Sequence, residues 1–173
     1  GDFEMSSTLC EKYVEIAPDD AEAINDMANC YFKLGDFEKA EHAFARALTV
    51  NENLVAVYRN LGLTKLRLGK SEEALALLQD YIKICPEDLE TELAIAGIYS
   101  HFGDYVTAIQ HYERFLIGNA QSVEGLFGIS ECYYHLGHID SAAIGYRQIL
   151  SLNPDFQPAA NRLAEIETSK TPA

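Results

Sequence analysis

Apolar and small residues recur along this chain at 34-residue intervals. Met27, Leu61, Ile95 and Ile129 share one phase, Phe44, Leu78, Tyr112 and Tyr146 a second, and Leu48, Ile82, Leu116 and Leu150 a third. Small residues keep equally strict places at Ala40, Ala74, Ala108 and Ala142. Within a period the apolar positions follow helical spacing twice, first through Ile24, Met27, Ala28, Tyr31 and Leu34, then through Ala40, Phe44, Ala47 and Leu48. Gly35, Gly69, Gly103 and Gly137 part the two stretches, each where a helix C-cap is expected. Small residues at fixed phase let two helices approach while large ones fill the gaps beside them. The pattern therefore predicts helix A, a turn at glycine, helix B, and a second turn marked in alternate units by Pro18, Pro86 and Pro154.

The expected architecture is all-α, with about nine helices and no strand. Repeat 1 spans 21–54, repeat 2 spans 55–88, repeat 3 spans 89–122 and repeat 4 spans 123–156. Residues 1–20 read as helix B of a truncated upstream repeat, because GDFE at 1–4 returns as GDFE at 35–38. Such a helix would expose apolar residues around Phe3, Leu9, Cys10 and Val14. Residues 157–168 form a C-terminal capping helix opened by Pro158, with Arg162, Glu165 and Glu167 on its outer side, and 169–173 a tail. A unit that buries its face only on its neighbours puts function on a repeated surface.

Composition narrows the partners. Thirteen Lys plus Arg against 27 Asp plus Glu leave a net charge of -14, which repels nucleic acid and anionic membrane surfaces. A basic or mixed-charge protein segment suits it better. Charges interrupt every apolar stretch before membrane-spanning length, and no basic-then-apolar signal pattern opens the sequence. Cys30 and Cys132 share a phase three repeats apart, beyond bridging distance, and no CxxC occurs. Free thiols and a cytoplasmic location are expected, with no metal and no cofactor. Glu131, His135 and His138 lie near one another in sequence, but Gly137 ends the helix between the histidines. Phosphate-cradling loops and nucleophile elbows are absent.

The 34-residue unit resembles the tetratricopeptide repeat family. The resemblance is carried by Leu-Gly at 34–35, 68–69 and 136–137, Phe-Gly at 102–103, the four in-register alanines, Tyr31, Tyr99 and Tyr133, and Pro86 and Pro154. Repeat 2 departs most, with Lys65 at the place of Tyr31 and Ser71 at that of Phe37 or Tyr105, so the weakest internal packing is expected there. The resemblance implies a right-handed α-α superhelical solenoid whose A helices line a concave, peptide-binding groove. The family's clamp for C-terminal carboxylates is matched at Asn29 and Asn60, but Asn25 stands where a lysine is expected, and Glu90 and Ala94 where the later basic pair would be. An asparagine ladder is broken by Asp26, Ala94 and Gly128 around Asn60.

On this reading the groove residues are Asn25, Asn29, Arg59, Asn60, Leu63, Arg67, Leu93, His101, Phe127, Glu131, Tyr134 and His135. The first half is rich in donors, with Lys33 beside it, and the second is apolar and lined by Gly97 and Gly128. Lys33, Arg67, His101 and His135 share a phase in the last turn of helix A, where positive side chains favour a helix C-terminus in any protein. The leading expectation is a non-catalytic scaffold that captures a peptide or partner segment. The alternatives are a recruiting domain of a larger enzyme, such as a glycosyl- or methyltransferase, and a scaffold that self-associates through its open N-terminal end.

Overall fold

The computed structural model describes the backbone of residues 2–170 and the side chains of residues 5 and 8–168. Expectations for Gly1, the Phe3 side chain and the last three residues fall outside them. The described residues form ten helices and no strand: α1 (Asp2–Ile16), α2 (Ala21–Leu34), α3 (Phe37–Val50), α4 (Val55–Arg67), α5 (Ser71–Ile84), α6 (Leu89–His101), α7 (Tyr105–Gly118), α8 (Val123–His135), α9 (Ile139–Leu152) and α10 (Gln157–Lys170). Both flanking segments are helical as expected, and with the eight helices of the four repeats they make ten; α10 runs to Lys170, two residues past the expected end of the capping helix. The helices pack in sequential pairs, α2 on α3, α4 on α5, α6 on α7 and α8 on α9.

Local chemistry explains the boundaries. The residue before each helix A stands in 34-residue register, and three of the four have a capping side chain: Asp20 accepts from the Ala23 amide at 3.0 Å, Asp88 from Thr91 at 3.2 Å and Ser122 from Gly125 at 3.3 Å. Repeat 2 has Leu54 there, and Lys70 before its helix B, and neither side chain caps. The repeat glycines take φ between 75° and 85°, the left-handed conformation that lets the chain leave helix A and turn at once into helix B.

The chain divides into two compact units, 1–87 and 88–173. In the first, Ile24, Ala28, Ala40, Phe44 and Ala47 are wholly buried, with Cys10, Tyr31 and Leu48 packed against them. In the second, one cluster gathers Ala96, Ala108, Tyr112 and Cys132, and another gathers Leu126, Ala142, Tyr146, Ile149 and Ala159. The four in-register alanines are each 0% exposed, as close helix contact demands. Leu34, expected inward, is exposed because it sits at the helix end where the chain turns away. Val14, expected to be open, is buried with α1 against α2, while the exposed stripe of α1 is Met5, Leu9, Tyr13 and Ile16. Val14 lies on the opposite helix face from Leu9 and Ile16.

Repeat 2 replaces its missing ring and caps with charge. Lys65 Nζ lies 2.7 Å from Glu41 and 2.6 Å from Glu73, and Lys70 Nζ 2.7 Å from Glu41. Hydrogen bonds from Lys65 and then Lys70 hold the Glu41 carboxyl below its usual range.

Candidate peptide-binding surface

In the first unit, α2 and α4 lie side by side and enclose a depression of about 300 Å³ lined by Asn29, Phe32, Lys33, Arg59, Asn60 and Leu63. Asn60 Nδ2 donates to Asn29 Oδ1 at 3.0 Å, which joins the two helices and leaves one amide nitrogen and one amide oxygen turned to other partners. Lys33 is exposed at the rim, while Arg59, Asn60 and Leu63 are half-buried. Four of the expected groove residues, Asn29, Arg59, Asn60 and Leu63, thus meet here. Phe32 joins them, in the 34-residue phase of Tyr134, although Phe32 itself was not among the expected groove residues. Asn25, about one turn before Asn29 on α2, does not line the depression and approaches Asp26 at 3.5 Å. Arg67 sits with its guanidinium 4.6 Å above the Phe37 ring.

In the second unit the expected residues are held by specific partners. His135 stacks on Tyr105 with centroids 4.8 Å apart and planes 7° from parallel. This is the same step as Arg67 on Phe37: the last turn of a helix A covers the ring that opens helix B of the preceding repeat. The shared phase of Arg67 and His135 therefore reflects ring stacking as well as the helix C-terminus. Glu131 is not an open groove carboxylate. It accepts from Arg162 at 3.0 and 2.8 Å and from the Tyr146 hydroxyl, and Arg162 lies 4.7 Å over the Tyr134 ring. Arg162 is thus turned back onto α8 rather than outward. Burial and the bond to Glu131 push the Tyr146 hydroxyl pKa up.

Phe127 is half-buried and meets Phe156 edge-on at 5.3 Å and Tyr146 at 6.1 Å, so much of its ring serves packing. Gly128 does not line a groove, since a β-carbon there would fall 2.3 Å from Tyr112 Cζ. Leu93 packs against the Ala96–Tyr112 cluster, and His101 is exposed beside Phe102. One polar cluster escaped sequence reading. Glu92, 4% exposed, meets His111 Nδ1 at 2.5 Å and Arg114 at 3.5 Å, and Tyr99 stacks on the His111 ring. Glu92 stands in the 34-residue phase of Ile24 and Leu126, both buried, so the register itself marks it as a carboxylate at a core position. Among the described residues no group of three His, Cys, Asp or Glu is placed to hold a metal. None of their helices is long and apolar enough to cross a membrane.

Sequential helix pairs, left-handed glycine turns and an unbroken small-residue register define an α–α repeat protein. Family models described as tetratricopeptide repeat match residues 19–87 and 124–155, and the chain belongs to the tetratricopeptide repeat family. Among curated proteins it is similar to tetratricopeptide repeat protein 8 of Caenorhabditis elegans, 23% identical over 128 residues that cover 74% of this chain and 25% of that protein. It is also similar to human superkiller complex protein 3, 25% identical over 170 residues that cover 95% of this chain and 11% of that protein. The chain thus spans a quarter or less of the length of these relatives. Among solved structures, YrrB, described as a TPR protein with an unusual peptide-binding site, superposes with a TM-score of 0.83 at 17% identity, covering 92% of this chain and 82% of YrrB. MamA superposes with a TM-score of 0.81 at 18% identity, covering 89% and 90% of the two chains.

Proposed function

We propose that this chain is a non-catalytic interaction module that captures an extended segment of a partner protein, anchored in the depression between α2 and α4. The observation that carries the reading is the grouping of the Asn29–Asn60 amide pair with Lys33, Arg59, Phe32 and Leu63 around one concave site. The free amide edges match the alternating donors and acceptors of a peptide backbone. Lys33, exposed at the rim, offers positive charge to an acidic side chain within a protein whose net charge is -14, and Phe32 and Leu63 take an apolar neighbour. Similarity to a superkiller complex protein and to a structure described by its peptide-binding site supports a protein ligand.

The test is a pull-down with the intact chain and with Arg59→Glu combined with Asn60→Ala, followed by peptide mapping of what is retained. The double variant should keep its helical circular dichroism and lose partner binding by tenfold or more, roughly what removing two polar anchors costs. Full-affinity capture by that variant would place the site elsewhere. A second reading, self-association, is favoured by the exposed Met5, Leu9, Tyr13 and Ile16 stripe of α1. Sedimentation separates the two, because Ile16→Glu should dissociate a dimer built on that stripe and leave peptide capture intact.

A further inference from the structure

The contact between α1 and α2 brings together two thiols, Cys10 and Cys30, that the 34-residue register keeps in different phases. Two features fix the facing turns. The Tyr31 hydroxyl donates to Glu11, so the residue after Cys30 meets the residue after Cys10. Cys10 and Tyr31, the residue after Cys30, also pack against the same core cluster, which includes Met27 and Ala28 of α2. Cys30 is close enough to act on the Cys10 thiol, which burial first and that neighbour second push up. Both are free thiols and neither is fully buried. Cys10 lines an open depression of about 530 Å³ with Leu9, Tyr13, Asp20 and Ala23, which gives a small reagent access from solvent. Cys132, by contrast, is buried beside Ser100, and Cys85 caps α5.

We propose that Cys10 and Cys30 are a reversible redox pair, closing to a disulfide that clamps α1 onto α2 when the oxidant is a low-molecular-weight disulfide, RSSR. The Cys10 thiol gives its proton to solvent, and the thiolate attacks one sulfur of RSSR, breaking its S–S bond. One RS⁻ leaves and is protonated, and Cys10 holds the other half as a mixed disulfide. The Cys30 thiolate then attacks the Cys10 sulfur, forms the Cys10–Cys30 bond and expels the second RS⁻, which is protonated in turn. Two protein thiols are oxidised to one disulfide and RSSR is reduced to two RSH. Since the thiolate is the nucleophile and the Cys10 thiol is held up, the reaction accelerates as pH rises. The bond would close a loop through the α1–α2 turn and restrict opening of α1, the helix that presents the Met5, Leu9, Tyr13 and Ile16 stripe.

The experiment uses the reduced full chain with Cys85→Ser as background, diluted and treated with oxidised glutathione. The expected product has lost two hydrogens, carries no glutathione, and yields a non-reduced peptide map in which the Cys10 and Cys30 peptides are joined. Amide exchange in residues 8–16 should slow by at least about tenfold, and dithiothreitol should reverse it. Adding Cys10→Ser or Cys30→Ser should stop the reaction at a glutathione adduct on the remaining thiol, with no gain in protection. Separate glutathione adducts on both cysteines, no reaction at either, or a disulfide joining two chains would each overturn the proposal. The map of the Cys85→Ser chain decides this even if the further serine variants fold poorly.

Discussion

Two glycines in A helices show how differently the same residue can be used. Gly128 faces the buried Tyr112 ring, and a β-carbon would fall within 2.3 to 2.6 Å of three ring and hydroxyl atoms. Gly97 is exposed, with nothing within 4 Å of an added β-carbon. Gly128→Ala should therefore lower stability by about 1 to 3 kcal/mol through overpacking. Gly97→Ala should raise it by about 0.5 to 1 kcal/mol by removing backbone freedom from a helix interior. Opposite shifts of the urea midpoint check the pair. Glu41 gives a prediction in pH. Its folded-state carboxyl is held below the ordinary value of 4.5 by Lys65 and Lys70, so its contribution is complete above that value and is lost as pH falls through the lower, folded one. Glu41→Gln should cost about 1 kcal/mol at neutral pH, and the gap between variant and parent should close on acid titration below 4.5. A gap that persists into strong acid would mean that shape rather than charge holds the site.

At the scale of the helix, the ends tell most. Helix B of repeat 3 begins at Asp104, whose carboxylate accepts from the Thr107 amide at 3.1 Å. His138 opens the equivalent helix of repeat 4 with nearly the same backbone, φ -81° and ψ 61° against -82° and 69°, and makes no cap bond. His138→Asp should supply that bond and stabilise α9 by about 1 kcal/mol, read as a higher thermal midpoint. The helices were legible in sequence because each apolar stripe recurs four times and each A stripe ends at glycine. Their lateral partners were not. Register compares residues of one phase, whereas Cys10 with Cys30, Glu92 with His111 and Glu131 with Arg162 join different phases on different helices. The same limit hid the packing role of Phe127, whose neighbour Phe156 stands in a turn.

For the whole molecule, a net charge of -14 works against compactness while Lys65, Lys70 and Arg162 make short local pairs that salt screens less. Raising sodium chloride from about 0.02 to about 0.3 M, which shortens the Debye length severalfold, should raise the melting temperature by a few degrees. A fall would show that the local pairs outweigh the net repulsion. The paired-helix fold was readable from the 34-residue period, because a repeat states its packing rule several times over, and the family from the resemblance carried by the Leu-Gly pairs, the in-register alanines and Tyr31, Tyr99 and Tyr133. The candidate site was readable only in part: donors on α2 and α4 do converge, but sequence could not tell that Glu131 and Tyr134 would be covered by Arg162. The stacks of Arg67 on Phe37 and His135 on Tyr105 also bear on how such a protein can change by gain or loss of units. Each stack takes its upper member from one repeat and its ring from the repeat before, so a single 34-residue cassette contains two unmatched halves. Repeat 2 has Ser71 where a ring would stand, and inserting it ahead of repeat 4 would strand His135 without Tyr105. The segment that can be duplicated or grafted without loss therefore runs from the glycine turn of one repeat to that of the next, half a unit out of step with the helix pairs the eye picks out.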